Sequence, residues 1–456
     1  MVRPTPRIRP FLSLEMATPE NFSPAPNFSS LCAPDDGAQV WTVSRRGFLK
    51  VAGVSMAALL AGCARSQTSG PGTTLTQWYH EYGEEGTQQA VRRYAAQYVK
   101  ENPDVTINVV WVPGNYPTKL NTALLVAGGP DIFETDHLSV PMVTAKQVAP
   151  LDDLFPPNVR KDFLPADIEV NSVDGHIYGV KMVTDTGLLY YRKSWLEKAG
   201  IREPQSADEL LEAAKKLTTT GRKGLFLGND GGPGALGQIM AWSANENILV
   251  ENKIAFNTPR VAKAYEKLRQ FNQTDALLIG ASTDWWDPSA FNNGLCAIAW
   301  GGLWAYPAIK KAFGDDVGGM AWPKLDEAGE PATFAGGWSQ FVNSRSPRIE
   351  AAKKYLRWLC IENPAIQQDW NLSYGFHVPP RQSVARAAKP LDAPVAARAA
   401  RDLAKYGHLT PPAWSNSMGS ALSDAVTNIV KLNQPAEAEL QNAARKVERE
   451  LERLLR

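Results

Sequence analysis

Downstream of residue 72 the apolar positions switch between two periods. Thr74 to Tyr79 alternates in the way of a first strand. Val91, Tyr94, Ala95 and Tyr98 then fall at i, i+3, i+4 and i+7, which predicts a helix over Thr87 to Lys100. Asn102-Pro103 ends it. Val105 to Val112 (VTINVVWV) is a β-branched strand, Tyr116 to Val126 a helix closed by Gly128-Gly129, and Asp131 to Glu134 a short strand. This β-α-β-α-β order predicts an α/β fold with a mainly parallel sheet and helices on both faces.

His176 to Tyr191 breaks the rhythm with a long extended run rich in Val, Thr and Tyr, interrupted by Gly179 and Gly187. Sharply punctuated helices follow. Gly200 stops the one that starts near Lys193, and Ser206-Ala207-Asp208-Glu209 is a capping box opening a helix to about Thr218. Thr258-Pro259 opens another, to about Gln270. Leu295 to Trp300 reads as a strand, Leu303 to Phe313 as a helix, and Phe334 to Asn343 as extended chain. Ser346-Pro347 opens a helix to about Ile361. Past Pro380 the chain is helical almost to its end, cut into segments by prolines.

Upstream, the pattern is of another kind. Residues 1–43 are rich in Pro and Ser and have no period. They read as an unusually long leader or as the result of a misassigned start, with Met16 an alternative first residue. Ser44 to Cys63 (SRRGFLKVAGVSMAALLAGC) joins Arg45 and Arg46 to an apolar run from Val51 to Ala61. That run is shorter than the roughly 20 residues a membrane span needs. A basic flank, a short apolar segment and a small-residue exit make an export signal. The arginine pair resembles a twin-arginine signal, and Leu60-Ala61-Gly62-Cys63 resembles a lipobox, which implies a lipid on Cys63. A buried core helix beside two arginines is the plain alternative.

Composition narrows the function classes. The net charge of +1 gives no broad field for nucleic acid. The chain beyond the signal is too long for one typical core, so two lobes are expected. Of the four cysteines, Cys32 leaves with the leader and Cys63 is the lipid site. Cys296 and Cys360 read as two buried thiols in preference to a bridge. None of the five histidines (His80, His137, His176, His377, His408) stands four residues from another, so no helical zinc pair exists. There is no G-x-S-x-G elbow and no P-loop. Gly232-Pro233-Gly234-Ala235-Leu236-Gly237 matches G-x-G-x-x-G, but Pro233 fixes φ in the tight turn and no acidic residue follows at the required distance. It reads as a turn into a helix whose N-terminal amides can face a cleft. No catalytic constellation, metal set or cofactor motif emerges, so the chain is read as a non-enzyme.

Tryptophan is what the chain does have, with 14 residues. Several sit beside loop signals: Trp78 near the end of the first strand, Trp285-Trp286 between Asp284 and Asp287, Trp300, Trp304, Trp338 after Gly336-Gly337, and Trp414 after Pro411-Pro412. Aromatic rings pack on the apolar faces of sugars while nearby polar groups bond the hydroxyls. Core packing is the competing explanation for each ring taken alone. On this ground Trp285 and Trp286 are candidate ligand-binding residues.

Five ordered segments carry a family resemblance: GGPDIFETDH (Gly128 to His137), DTGLLYYRKSWLEKAGI (Asp185 to Ile201), FNNGLCAIAWGGLWAYPAI (Phe291 to Ile309), FAGGWSQFVNSRSPRIEAAKKYLRWL (Phe334 to Leu359) and YGFHVPPRQSV (Tyr374 to Val384). From about Thr73 to the C-terminus the chain resembles family 1 extracellular solute-binding proteins of ABC transporters, which include maltose- and glycerol-3-phosphate-binding proteins. Arg192 stands where Asn is usual. The resemblance implies a two-lobed periplasmic-binding-protein fold, lobes joined by crossover strands, with ligand trapped in the cleft by hinge closure. The expected division is leader and signal 1–62, tether 63–72, lobe one 73–185 plus 337–395, and lobe two 186–336 plus 396–456. By motif position it also implies ligand-binding roles for Tyr79, His80, Glu81, Asp136, His137, Asp185, Trp304, Trp338, Arg381 and Trp414.

The implied partners are a small-molecule solute, expected to be a sugar or related polyol, the permease subunits of an ABC importer, and a bacterial membrane reached through the lipid anchor. A monomer is expected, without nucleic acid. Two other readings stay open: the same fold binding a glycerol phosphodiester, polyamine or peptide, and a lipid-anchored hydrolase.

Overall fold

The computed structural model describes residues 72–82, 86–126, 128–374 and 376–454. Arg45, Arg46, Cys32 and Cys63 lie outside the described residues. Ten strands build two five-stranded sheets: β1 (Thr73–His80), β2 (Val105–Val112), β3 (Ile132–Thr135), β4 (Gly179–Lys181), β5 (Gly187–Arg192), β6 (Lys223–Phe226), β7 (Leu277–Leu278), β8 (Cys296–Gly302), β9 (Val317–Met320) and β10 (Ser339–Val342). The first sheet has the order β2-β1-β3-β10-β4 and the second β7-β6-β8-β5-β9. Each is the centre of an α/β lobe.

Each sheet is parallel except for one strand. β1 runs parallel to β2 and β3, while β10 is antiparallel to both its neighbours. In the second sheet β7, β6 and β8 are parallel, and β5 is antiparallel to β8 and β9. The reversed strands are the two through which the chain enters from the other lobe. Parallel strands connected by helices all point their C-terminal ends one way, and here those ends face the other lobe. A chain arriving from that lobe starts at that same end and must run backwards.

The crossings are short and mutually bonded. Asp185 and Gly336 exchange backbone hydrogen bonds, as do Thr184 and Val378. Gly337 has φ of +99°, and a Cβ there would stand 2.2 Å from the Val183 carbonyl oxygen, so only glycine lets the two crossing segments touch. The third crossing ends in a helix, Pro394–Tyr406, which packs on β9. Val395 and Ala396 belong to its buried face within lobe two.

Helix caps follow the sequence. Ser206 Oγ accepts from Glu209 N at 3.2 Å, and Thr258 Oγ1 accepts from Val261 N at 3.2 Å. The Val91, Tyr94 and Tyr98 stripe is buried against the first sheet together with Tyr355 and Trp358. Cys360 is buried in lobe one and Cys296 in lobe two, both as free thiols. Among the described residues no helix is long and apolar enough to cross a membrane.

Candidate functional site

At the lobe-one side of the cleft the hub is Glu134, fully buried near the C-terminal end of β3. An ionised carboxylate out of water needs several donors. Oε1 accepts from His80 N at 2.9 Å and lies 2.5 Å from His80 Nδ1. Oε2 accepts from Tyr82 OH at 2.9 Å and Gln340 Nε2 at 3.2 Å. These bonds fix the His80 ring, which stacks on Trp338 with centroids 3.8 Å apart and lies 3.9 Å from the Tyr82 ring. The result is a half-buried platform of three aromatic rings on a rigid strand end.

Beside it the chain leaves β3 through exposed Asp136 and half-buried His137. His137 Nε2 is 2.9 Å from the Trp414 carbonyl oxygen, and Val140 N donates to the Pro412 carbonyl, so this loop touches lobe two directly. Burial pulls the His137 pKa down, partly opposed by Asp136. Lys181, at the end of β4, is buried, and burial lowers its pKa against the attraction of Asp167, Asp185 and Asp136. Asp167 is pushed up to about 6 by burial, with Lys181 and the Thr184 hydroxyl opposing the rise. Asp185, buried at the crossing, lies 2.7 Å from His377 Nδ1.

On the lobe-two side the rings come from the C-terminal end of β8, the loop after β7 and the crossing. Trp304 and Trp285 meet at 5.5 Å, and Phe334 lies 6.2 Å from Trp285 and 6.4 Å from Trp304. Trp304 Nε1 donates to the Trp286 carbonyl at 2.8 Å. Trp286 itself is 40% exposed. Asp284 holds the loop by accepting from Asn229 N and Trp285 N through Oδ1. Trp304 needs Gly302 beneath it, because a Cβ there would stand 2.1 Å from the indole.

The expected residues therefore divide. His80, Trp338, Asp136, His137 and Asp185 gather on the lobe-one side, and Trp285, Trp286 and Trp304 on the lobe-two side. Glu81 is exposed next to the first group, accepting from Gly114 N. Three side chains go elsewhere. Tyr79 alternates to the opposite face of β1 from His80 and is buried against Trp111 and Trp370. Arg381 is held within lobe one by Asp162 and the Ile361 carbonyl. The Trp414 ring is buried in the lobe-two core against Phe256, and only its carbonyl reaches His137.

Tyr82, Glu134, Lys181 and Phe334 were missed. A charged residue inside an otherwise apolar strand was the available signal for Glu134 and Lys181, since an acid or base in such a place needs a buried partner. The G-x-G-x-x-G turn does open a helix, Pro233–Ser243. At its N-terminus Gly232 N and Gly234 N donate to Asp230 at 2.8 Å each. Among the described residues no group of three or more His, Cys, Asp or Glu is placed to hold a metal ion.

Residues 93–400 match the family described as bacterial extracellular solute-binding protein. A putative ABC transporter periplasmic-binding protein of Escherichia coli K12, YcjN, is 26% identical over 56% of this chain and 60% of its own length. The sn-glycerol-3-phosphate-binding periplasmic protein UgpB of the same strain is 25% identical over 70% of this chain and 77% of its own. Among solved structures, the GacH receptor of Streptomyces glaucescens GLA.O, seen unliganded and with acarbose, superposes with a TM-score of 0.69. It is 24% identical, and the match covers 84% of this chain and 99% of that one.

Proposed function

Because the chain belongs to the bacterial extracellular solute-binding protein family, we propose that it is the solute receptor of an ABC importer and captures a sugar or related polyol between its lobes. The observation that carries this is the pair of aromatic walls. Trp338, His80 and Tyr82 stand at the strand ends of one sheet, and Trp285 and Trp304 at those of the other, joined by Phe334 from the crossing. Two such walls suit the two faces of a sugar ring, and the exposed carboxylates of Asp136 and Glu81, each accepting one bond within the protein, keep a second oxygen for hydroxyls. Lobe one is taken as 73–185 plus 337–393 and lobe two as 186–336 plus 394–456, the expected boundary at 395 moving to the start of the helix that packs on β9. Closure is a hinge motion about the crossing segments at Thr184–Asp185, Gly336–Gly337 and Val378. In this reading Arg45 and Arg46 direct twin-arginine export, a lipid on Cys63 anchors a monomer outside the cytoplasmic membrane, and the protein performs no catalysis.

A glycerol phosphodiester is the second reading, favoured by the likeness to UgpB. A phosphate needs a cation or free helix amides. Here Lys181 has three carboxylates around it, and the Asp230 carboxylate takes the Gly232 and Gly234 amides at the helix N-terminus. Thermal-shift screening of the mature protein against neutral sugars, polyols and glycerophosphodiesters tests both. A hundredfold excess over Kd adds about 2.7 kcal/mol to stability. A rise in melting temperature with sugars or polyols is expected, and a rise with phosphodiesters alone would overturn the sugar reading.

A further inference from the structure

β4 is antiparallel to β10, which is antiparallel to β3, so β4 runs the same way as β3 and ends on the cleft side. Its last residue is Lys181. Lys181 stands opposite Ser339 of β10, and Ser339 stands opposite Thr135 of β3. Paired residues put their side chains on one face of a sheet, so the three form a polar row along the strand ends. Ser339 directly follows Trp338, a ring of the lobe-one platform. Lys181 is 3% exposed and Ser339 4%. Among the described residues the Lys181 ammonium makes no hydrogen bond and no ion pair, and the Ser339 hydroxyl makes no hydrogen bond.

An ammonium taken out of water without a partner is destabilising, and buried lysines are for that reason nearly always paired. Carboxylates surround this one, but each is engaged elsewhere. Asp167 accepts from the Thr184 hydroxyl at 2.9 Å, Asp185 lies 2.7 Å from His377 Nδ1, and Asp136 accepts from the Thr135 hydroxyl at 3.3 Å. They reach Lys181 through their field, as Lys181 in turn reaches His137. The ammonium thus sits between the crossing at Asp185 and the loop leaving β3, the loop that touches lobe two at Trp414. Two buried donors on paired strands are left there without an acceptor.

We propose that Lys181 and Ser339 together read one hydroxyl group of the solute, and that Lys181 is the residue that makes this hydroxyl obligatory. The inference rests on the sugar reading above and adds to it which chemical group the ligand must carry. A hydroxyl oxygen accepts from the ammonium and from the serine, and donates its own proton to the exposed Asp136 carboxylate. Other groups fit less well. A carboxylate or phosphate meets three acids, and a protonated amine meets Lys181. A hydrogen atom in place of the hydroxyl leaves both donors bare.

The test is Lys181→Met, which keeps much of the side chain's length and removes its charge. Without ligand its melting temperature should equal or exceed that of wild type, because an unpaired buried charge is gone. Wild type is screened by thermal shift against glucose, galactose, mannose, xylose, maltose and mannobiose, and calorimetry with the sugar that binds compares the proteins. Lys181→Met should weaken binding roughly 10- to 150-fold, the range for a hydrogen bond from a charged group. Ser339→Ala should weaken it roughly 2- to 12-fold, the range for a neutral one. Monodeoxy derivatives of that sugar identify the hydroxyl. One of them should bind wild type more weakly than the parent sugar by a similar factor, yet bind Lys181→Met as well as the parent does. Should Lys181→Met melt low, Ser339→Ala carries the same comparison with the same deoxy sugar. Equal affinity of wild type and Lys181→Met overturns the inference, as does a deoxy series in which the variants lose as much as wild type at every position. Binding of no sugar by wild type overturns the sugar reading itself, a result distinct from sugar binding that ignores Lys181.

Discussion

Adding one methyl group at Gly302 should disable the lobe-two wall without harming the fold. Gly302 has φ −80° and ψ 159°, extended values that alanine adopts freely. The new Cβ would stand 2.1–2.2 Å from three atoms of the Trp304 indole. Trp304 is half-buried at a cleft edge, so the ring has somewhere to go. It would swing off the glycine and lose its bond to the Trp286 carbonyl, worth about 1 kcal/mol. The lost stacking surface is worth about 1–3 kcal/mol of ligand binding, or roughly a 5- to 150-fold rise in Kd. Trp304→Ala should give the same loss. Gly187→Ala is the control. Its Cβ would stand 2.3 Å from the Trp300 indole, which is 1% exposed in the lobe-two core and has no escape. That variant should lose stability, on the scale of about 3–5 kcal/mol seen for large core disruptions. Calorimetry with the sugar identified by thermal shift, beside melting by circular dichroism, separates the cases. If Gly302→Ala binds like wild type, or melts as low as Gly187→Ala with unchanged affinity per folded molecule, Trp304 is no ligand platform.

Other outcomes follow from the same residues. Replacing Arg45 and Arg46 together by Lys should leave precursor in the cytoplasm, and mass spectrometry of the mature wild type should find a lipid on Cys63. Export of the double mutant at the normal level, or an unmodified Cys63, would remove the respective claim. The Asp167 carboxyl has a folded pKa of about 6 against about 3.9 unfolded. The folded state thus holds the proton more tightly, and this contribution is full below about pH 4 and lost as pH rises through about 6. Wild type should therefore gain stability relative to Asp167→Asn as pH falls from 7 to 4, by up to about 3 kcal/mol. A pH-independent difference would refute it. Burial pushes the Cys360 thiol up to about 12 and raises Cys296 as well. Both should escape alkylation at pH 8 until the protein is unfolded, as read by peptide mass spectrometry.

Periodicity made most of the fold legible, because strands and amphipathic helices write their own spacing. The Val91 to Tyr98 stripe and the two N-caps are local facts and were read as such. The reversal of β5 and β10 was not legible, since direction in a sheet depends on where the chain comes from. The site was half legible for a related reason. A glycine pair before Trp304 and Trp338 marks a turn at a strand end, and both rings do stand there. Trp414 follows a proline pair, an equally good turn signal, yet its ring faces inward. Arg381 stood in the expected loop, but Asp162, more than 200 residues earlier, claims it. Turn chemistry fixes the backbone, while the direction of a side chain is decided by partners distant in sequence.

The place of β10 in the first sheet has a consequence for how the chain assembles. Gln340, the second residue of β10, bonds to Glu134, a separation of 206 residues. This strand sits between β3 and β4, in the interior of the sheet. Until residues 339–342 emerge from the ribosome, β3 and β4 have no strand between them, and each presents a bare edge of unpaired amides and carbonyls. Loop closure over such a distance is slow, and exposed edges recruit other chains. Lobe one, although it begins first, must finish late. A chain stopped anywhere before Ser339 should therefore aggregate instead of yielding a folded first half, and the nascent protein spends the synthesis of most of lobe two in need of a chaperone.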